Sequence, residues 1–379
     1  MTTLRIPAQF WRGGTSKGVF LLDSDLPREP AAREALLLRL IGSPDPYGKH
    51  IDGMGGATSS TSKVVIVRPA EQTGCAVAYR FGAVAIDRPV IDWSGNCGNL
   101  TTAVAPFALA TGLVKAADGI ATLRLWQDNV GKEIVAHVPV DGGQAVESGD
   151  FTMDGVAFPG AEILLEFMDP GGGESSMLPT GNVSDRLVVP GVGEIEATLV
   201  NAGNPTVFIS AADLDLRGTE LQPDVNGDAA LLSRCEAIRA HAAVRMGLAV
   251  SPEAATRDRP ATPKLSFVAP PAAYTASSGK AVGAHDVDLV ARILSMGVLH
   301  HAYTGTGAVA LAVAAALPGS AVARASAVGA AERVRIGHPS GKMTVGAEVK
   351  AVNGEWSVTR ALMSRSARCL MSGWVHLPA

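Results

Sequence analysis

The chain has 379 residues, of which 47% are apolar and 18% charged, with 42 glycines and 23 prolines. That balance excludes disorder and fits a β-rich α/β mixture of two domains with many turns. The net charge of −4 comes without any basic run or stripe, so nothing is present to neutralise the phosphates of a nucleic-acid partner.

Residues 1–12 hold no apolar segment of signal-peptide length, and the longest apolar stretch, residues 308–318, is about half a bilayer span. The expectation is a soluble, cytoplasmic protein with no membrane partner. Four cysteines, Cys75, Cys97, Cys235 and Cys369, lie far apart without CxxC spacing. Neither a disulfide framework nor a zinc knuckle is expected.

In chain order, the pattern predicts a helix over 32–40 and strands over 63–68, 75–80, 121–126, 133–140 and 162–167. Residues 167–190, with Gly171, Gly172 and Gly173, read as the loop by which the chain leaves its first half. Strands follow over 194–200 and 206–210. A long helix covers 228–246, with Leu231, Leu232, Cys235, Ile238 and Ala242 on one face. Residues 254–263 read as flexible. A strand at 264–268, a helix at 286–296 behind an acidic start, a helix at 307–317 and a strand at 343–352 complete the pattern. The 307–317 helix is apolar on all sides and should be fully buried.

A weak internal repeat links two of these regions. Asn96-Cys97-Gly98 precedes Ala103-Val104-Ala105, and Gly305-Thr306-Gly307 precedes Ala312-Val313-Ala314. One offset of 209 residues carries 97 to 306 and 104 to 313. It fits two halves of similar architecture, each around one buried helix, although glycine and alanine are common enough here for coincidence. The division is placed as residues 1–185 and 186–379, with the chain ends free to cross between the halves.

Several segments combine glycine with hydroxyl, amide or basic residues. They surround Thr15, Ser16 and Lys17; Gly56, Thr58 and Ser59; Asn96, Gly98 and Asn99; Gly305, Thr306 and Gly307; and Ser340. Glycine admits close approach to backbone N–H groups, hydroxyls add donors, and a helix N-terminus adds a positive dipole end. Together they suit a ligand with several carboxylates; singly, each reads equally as an ordinary turn. Neither GxxxxGK[ST] nor a strand-opening GxGxxG is present, which disfavours nucleotides. His300, His301 and His338 have no carboxylate at ligand spacing, so no metal is expected.

Cys97 falls at the N-cap of a buried helix, where a thiolate is favoured; it reads either as a functional thiol or as packing. Lys63 ends a hydroxyl run and opens an apolar strand. Partial desolvation and the nearby Lys17 charge would make its neutral amine usable as a base; the alternative is a solvated strand-end lysine.

The strings RGGTSKG (12–18), GSPDPYGKHIDGMGGATSSTSK (42–63), WSGNCGN (93–99), FMDP (167–170), LPTGN (178–182), NAGNPT (201–206), GHPSG (337–341), SRSAR (364–368) and GWV (373–375) resemble the PrpF family, in its order and over nearly the whole chain. The resemblance implies an α+β, diaminopimelate epimerase-like fold: two similar domains, each a curled, mostly antiparallel β-sheet around a central helix. It implies isomerisation of unsaturated di- and tricarboxylates by proton transfer next to the double bond, without metal or organic cofactor. Family members interconvert cis- and trans-2-methylaconitate in the 2-methylcitrate cycle of propionate catabolism, or shift the double bond of 4-oxalomesaconate or methylitaconate.

The family's catalytic lysine falls on Lys63 and its active-site cysteine on Cys97. In epimerases of this fold a second cysteine opens the other central helix; the 209-residue offset puts Thr306 there, too weak an acid to serve as a second base. Residues 93–99 and 150–159 resemble the 2-methylaconitate branch, while 300–306, with Tyr303 and Thr304, stand closer to other members. The expected function is therefore 2-methylaconitate cis–trans isomerase. The alternatives are 4-oxalomesaconate tautomerase of aromatic catabolism and a non-enzymatic accessory of an iron–sulfur dehydratase. The implied partner is a small tricarboxylate, with homodimerisation left open.

Overall fold

The structure, a computed structural model, describes residues 4–171, 176–352 and 355–378. Two of the loop glycines read from the sequence, Gly172 and Gly173, lie outside the described residues. The chain divides into two compact units. One comprises Met1–Thr152, Phe158–Leu165 and Ser364–Ala379; the other comprises Met153–Ala157 and Glu166–Met363. The sequence reading places one division at 185/186 with the chain ends free to cross; here residues 166–185 belong to the second unit and the C-terminal residues from Ser364 to the first.

The first unit opens on an antiparallel hairpin of β1 (Leu4–Gly13) and β2 (Ser16–Leu22). Helix α1 (Pro30–Ile41) starts where Pro30 pre-sets the helical φ and Glu29 accepts from the N–H groups of Ala31 and Ala32. It ends at Gly42, left-handed at φ 87°, and buries Leu36, Leu37, Leu40 and Ile41. β3 (Lys63–Pro69) returns parallel to β2, and β4 (Val77–Val84) runs antiparallel to β3. After the short β5 (Ile91–Asp92) comes α2 (Gly98–Ala110). β6 (Gly119–Gln127) then lies parallel to β4. It forms a hairpin with β7 (Lys132–Asp141), which β8 (Gln144–Ala145) extends. β9 (Ile163–Met168) carries the chain out of this unit.

The second unit repeats the plan. After β10 (Asp185–Val189), β11 (Gly193–Ala202) and β12 (Asn204–Ser210) form the hairpin. Helices α3 (Gln222–Asn226), α4 (Ala229–Arg245) and α5 (Pro252–Asp258) take the place of α1. β13 (Lys264–Ala269) lies parallel to β12. Beyond the two-stranded pair β14 (Tyr274–Thr275) and β15 (Ala281–Val282), β16 (Leu289–Ser295) runs antiparallel to β13. The short β17 (Val298–Leu299) precedes the second central helix, α6 (Gly305–Ala316). Past α7 (Ala321–Ala325), β18 (Arg333–His338) lies parallel to β16. β18 pairs with β19 (Gly341–Val352), and β19 with β20 (Glu355–Arg365). The last strand, β21 (Ala367–Leu377), belongs to the first unit and pairs antiparallel with β1.

The duplication read from the sequence thus extends to the order of elements: hairpin, helix, parallel strand, antiparallel strand, central helix, parallel strand, hairpin. Residues 98–109 of α2 and 305–315 of α6 are all buried. Each helix is enclosed by strands of its own unit, α2 by β1, β2, β3, β6, β7, β8 and β21, and α6 by β11, β12, β18 and β19. An all-round apolar helix has no face to give to water, so the sheet must curl about it.

Three sequence readings are corrected. Residues 286–296 contain strand β16 instead of a helix. Every residue of Leu289–Ser295, Arg292 included, is buried, between β13 and β18, and a short run buried on both faces carries no period to separate strand from helix. The loop expected over 167–190 contains β10. The flexible stretch expected over 254–263 begins within α5, which Ser251 caps by accepting from the Ala254 N–H at 3.2 Å.

Around α2, Phe107 is 2% exposed and its ring lies 5.5 Å from that of Phe20 on β2. Phe107→Ala should cost about 3–5 kcal/mol, read as a lower urea midpoint at unchanged m-value. A loss below about 1 kcal/mol would mean that α2 is not the organising core.

Candidate active site

In the first unit the polar residues gather at the N-terminus of α2. β3 opens with Lys63, 7% exposed, and Cys97 forms the N-cap of α2, also 7% exposed. The Lys63 Nζ donates to Cys97 Sγ at 3.4 Å and stands 4.9 Å from the centre of the Phe81 ring. Amine and thiol, the two proton-transfer groups anticipated from the sequence, are therefore neighbours. The Cys97 side chain makes no capping hydrogen bond to the helix, which leaves the α2 terminus without the side-chain acceptor that helix starts usually have.

The turn before α2 is held from behind. Asn96 Oδ1 accepts from the Cys97 N–H at 2.6 Å and from the Tyr79 hydroxyl at 3.2 Å, and Tyr79 also meets Thr101 Oγ1 at 2.7 Å. Burial pushes the Tyr79 phenol above its ordinary value, so it remains a neutral donor. Asn129 reaches in to donate to the carbonyls of Phe81 and Trp93 at 2.8 and 2.7 Å.

The β1–β2 turn lies against the same helix end. A Cβ on Gly13 would stand 2.5 Å from the Asn99 carbonyl oxygen, and one on Gly14 would stand 2.4 Å from Asn99 Oδ1. Gly14 also has a φ of 50°. Asn99 Nδ2 donates to Thr15 Oγ1 at 3.0 Å, and Arg365 Nε donates to Asn99 Oδ1 at 3.2 Å. Ser16 is 3% exposed and its Oγ has no partner among the described residues. Lys17 donates its backbone N–H to the Ser60 carbonyl at 3.0 Å, and its ammonium lies over the Phe10 ring.

The hydroxyl run before Lys63 partly satisfies itself. Thr58 Oγ1 is 2.7 Å from Thr61 Oγ1 and 3.0 Å from Ser60 Oγ. A Cβ on Gly56 would meet Thr61 Oγ1 at 2.4 Å. Ser59 is buried.

In the second unit the corresponding helix end is closed differently. Thr304, the N-cap of α6, accepts from the Gly307 N–H at 3.2 Å. By position in the helix, Cys97-Gly98-Asn99 matches Thr304-Gly305-Thr306, an offset of 207. The 209-residue alignment is corrected by two positions, and Thr304, not Thr306, occupies the place of Cys97. Thr306 is 1% exposed. Ser340 Oγ donates to the His301 carbonyl at 2.6 Å, tying the 337–341 turn to the segment before α6. Of the histidines singled out earlier, His300 Nδ1 accepts from the Ala302 N–H at 3.1 Å, and His338 Nδ1 from the Ser340 N–H at 3.3 Å. Among the described residues, no group of three or more His, Cys, Asp or Glu is placed to hold a metal ion.

Two cations went unassigned in the sequence. Arg365 is 5% exposed and sits beside Asn99. The alternation Ala361, Met363, Arg365 along β20, all inward, was the available signal. Lys264 is the other. Thr262-x-Lys264 opens β13 as Thr61-x-Lys63 opens β3. Lys264 is 7% exposed, with Nζ at 3.2 Å from the Ala261 carbonyl and 3.4 Å from Ser295 Oγ.

Two units of one plan, each sheathing a buried helix with its polar residues at the N-terminal end, define the class: the diaminopimelate epimerase and proline racemase type of fold. A hydroxyproline epimerase structure from Agrobacterium vitis shares it, with a TM-score of 0.58 at 14% identity over 99% of this chain and 93% of that one. A methylitaconate-delta-isomerase structure matches with a TM-score of 0.77 at 38% identity, covering 100% of this chain and 96% of that chain. The chain belongs to the PrpF protein family, whose sequence model matches residues 3–378. It is 55% identical to the 2-methyl-aconitate isomerase of Shewanella oneidensis, over 99% of this chain and 97% of the relative. It is 54% identical to that of Cupriavidus necator, over 99% and 98%. No helix among the described residues is long and apolar enough to cross a membrane.

The tight seat of Gly14 gives a test. At Gly112, with φ 73° and nothing within 4 Å of an added Cβ, alanine pays only the backbone penalty, about 1–2 kcal/mol. Gly14→Ala pays that penalty and must also displace Asn99. Urea unfolding should show the larger loss for Gly14→Ala, together with reduced activity; equal losses would mean that the turn does not bear on α2.

Proposed function

We propose that this protein interconverts the cis and trans forms of 2-methylaconitate by allylic proton transfer, with Lys63 as the base. The observation that carries the reading is the Lys63–Cys97 pair, 3.4 Å apart and both nearly enclosed, at the uncapped N-terminus of α2. The 55% identity to a 2-methyl-aconitate isomerase supports this substrate.

In the proposed reaction the Lys63 amine takes an allylic proton, and the electron pair left on carbon delocalises through the double bond onto a carboxylate. Backbone N–H groups at the start of α2 and hydroxyls of the neighbouring turns stabilise the developing charge. The former double bond gains single-bond character and rotates. Return of the proton from Lys63 to the carbon it left restores the alkene in the other geometry, with no net change in atoms or charge. Return to the other end of the allylic system would shift the double bond instead. Cys97 serves either as a proton donor at that second position or as a shaping residue. Thr15, Ser16, Lys17, Gly56, Thr58, Ser59, Asn96, Gly98 and Asn99 are proposed to bind the acid, as are Gly305, Thr306, Gly307 and Ser340. Every step is assigned to side chains and backbone of this chain, without a cofactor.

Proton NMR in D₂O with 2-methyl-cis-aconitate should show interconversion with solvent deuterium entering the allylic position. Lys63→Ala should lose about a hundred- to ten-thousand-fold in rate, and Cys97→Ala should lose less. Turnover of 4-oxalomesaconate alone would keep the chemistry and replace the substrate. Full activity in folded Lys63→Ala would remove the lysine as base.

A further inference from the structure

We propose that Arg365 is a positioning residue: through Asn99 it fixes the direction in which the Thr15 hydroxyl donates, so that Thr15 offers its proton to a carboxylate of the bound acid. This rests on the reading above that the ligand is a polycarboxylate.

The argument is one of donors and acceptors. A guanidinium has N–H groups and no acceptor, so the Asn99 atom 3.2 Å from Arg365 Nε is the amide oxygen. The orientation of an asparagine amide is ordinarily ambiguous; a cation behind it removes the ambiguity. The Asn99 NH₂ group is then the one that faces Thr15, at 3.0 Å from its Oγ1. A hydroxyl that accepts there has its own hydrogen left to give elsewhere. Among the described residues Asn99 is the hydrogen-bond partner of the Thr15 hydroxyl, and Thr15 is only half-buried at the β1–β2 turn. Its proton is thus available to a ligand at the β1–β2 turn, which lies against Asn99 of α2.

The surroundings are shaped to keep the relay in place. Gly14 has no side chain where a Cβ would stand 2.4 Å from Asn99 Oδ1 and 3.2 Å from Arg365 Cδ. Arg365 Nη1 donates to the Ser364 carbonyl at 2.9 Å, which anchors the guanidinium plane. Without the cation the amide can turn over, its oxygen takes the Thr15 proton, and the ligand loses a donor.

Calorimetric titration with propane-1,2,3-tricarboxylate, a saturated acid that the enzyme cannot isomerise, tests this as a mutant cycle. Thr15→Val should weaken binding about tenfold, the loss of one hydrogen bond to a charged group, and Thr15→Ser should restore it. Asn99→Asp, which offers Thr15 only an acceptor, should weaken binding about as much. It should keep or raise the melting temperature, because it pairs with Arg365. The Asn99→Asp, Thr15→Val double variant should bind no more weakly than either single variant. Arg365→Met should show the same loss, and that loss should vanish in the Thr15→Val background; if Arg365→Met does not fold, the Asn99→Asp cycle decides alone.

Losses that multiply in the double variant would overturn the proposal, since a purely structural role or simple repulsion by the new carboxylate acts independently of Thr15. Absence of binding to the unaltered protein would overturn it as well. Binding of the tricarboxylate without turnover of the unsaturated acids would overturn the isomerase reading and leave this cycle readable.

Discussion

Each unit is organised around a central helix that is buried nearly throughout, α2 in one and α6 in the other. Such a helix gains from burial over its whole circumference, and besides its few polar side chains, Asn99, Thr101 and Thr102 on α2 and Thr306 on α6, the groups that demand polar company are the free N–H and C=O groups at its ends. The curled sheets satisfy the first requirement. The second concentrates chemistry: the N-terminus of α2 is where asparagine, threonine, lysine and cysteine side chains meet inside an otherwise apolar shell. The hairpin turns obey the same constraint. Gly13 and Gly14 lie against Asn99, and Gly203, at φ 68°, lies against Val309 and the Thr306 carbonyl on α6. At both places a side chain would drive the turn off the helix end.

The duplication makes the differences between the halves informative. Both central helices begin with a residue followed by Gly and a polar residue, Cys97-Gly98-Asn99 and Thr304-Gly305-Thr306. Thr304 spends its hydroxyl on the Gly307 N–H, so the α6 terminus is capped by its own chain. Cys97 makes no such bond; its sulfur faces Lys63 instead. Likewise each half opens the strand that lies parallel to its hairpin, β3 or β13, with a lysine two residues after a threonine. Lys63 points at a thiol, whereas Lys264 is held against a carbonyl and a serine hydroxyl. The lysine and the helix-cap residue thus face each other in one half, and in the other each is taken up by hydrogen bonds within its own surroundings.

Much of this was legible in the chain itself. The two central helices announce themselves by composition, and Lys63 and Cys97 by their neighbours. What escaped had physical reasons. Strand β16 is a buried run without a period, so helix and strand write it alike. Helix α5 is short and depends on Ser251 and Pro252. Thr306 was read in the place of Thr304 because the Thr-Gly pair occurs twice, at 304–305 and 306–307, and the Ala/Val-rich run behind it lets the repeat slide by two. Arg365 was unreadable as a neighbour of Asn99, since the pair is 266 residues apart in sequence and only the return of the chain at β20 brings them together.

The choice of arginine at two buried positions is itself an argument about charge. Burial pulls both Arg365 and Arg292 down to about 10, which still leaves them protonated near neutrality. A lysine starts about two units lower and shifts readily when buried; under similar desolvation it would approach the range in which it loses its proton and with it the ability to orient an acceptor. Arg292 donates to the carbonyls of Glu220, Ala291 and Gly337 and so holds β16 to the 337–341 turn. Arg365 donates to a carbonyl and to the Asn99 amide. The lysine at the helix end, Lys63, faces the Cys97 thiol instead. Arginine therefore stands where an enclosed donor must keep its proton through that degree of burial.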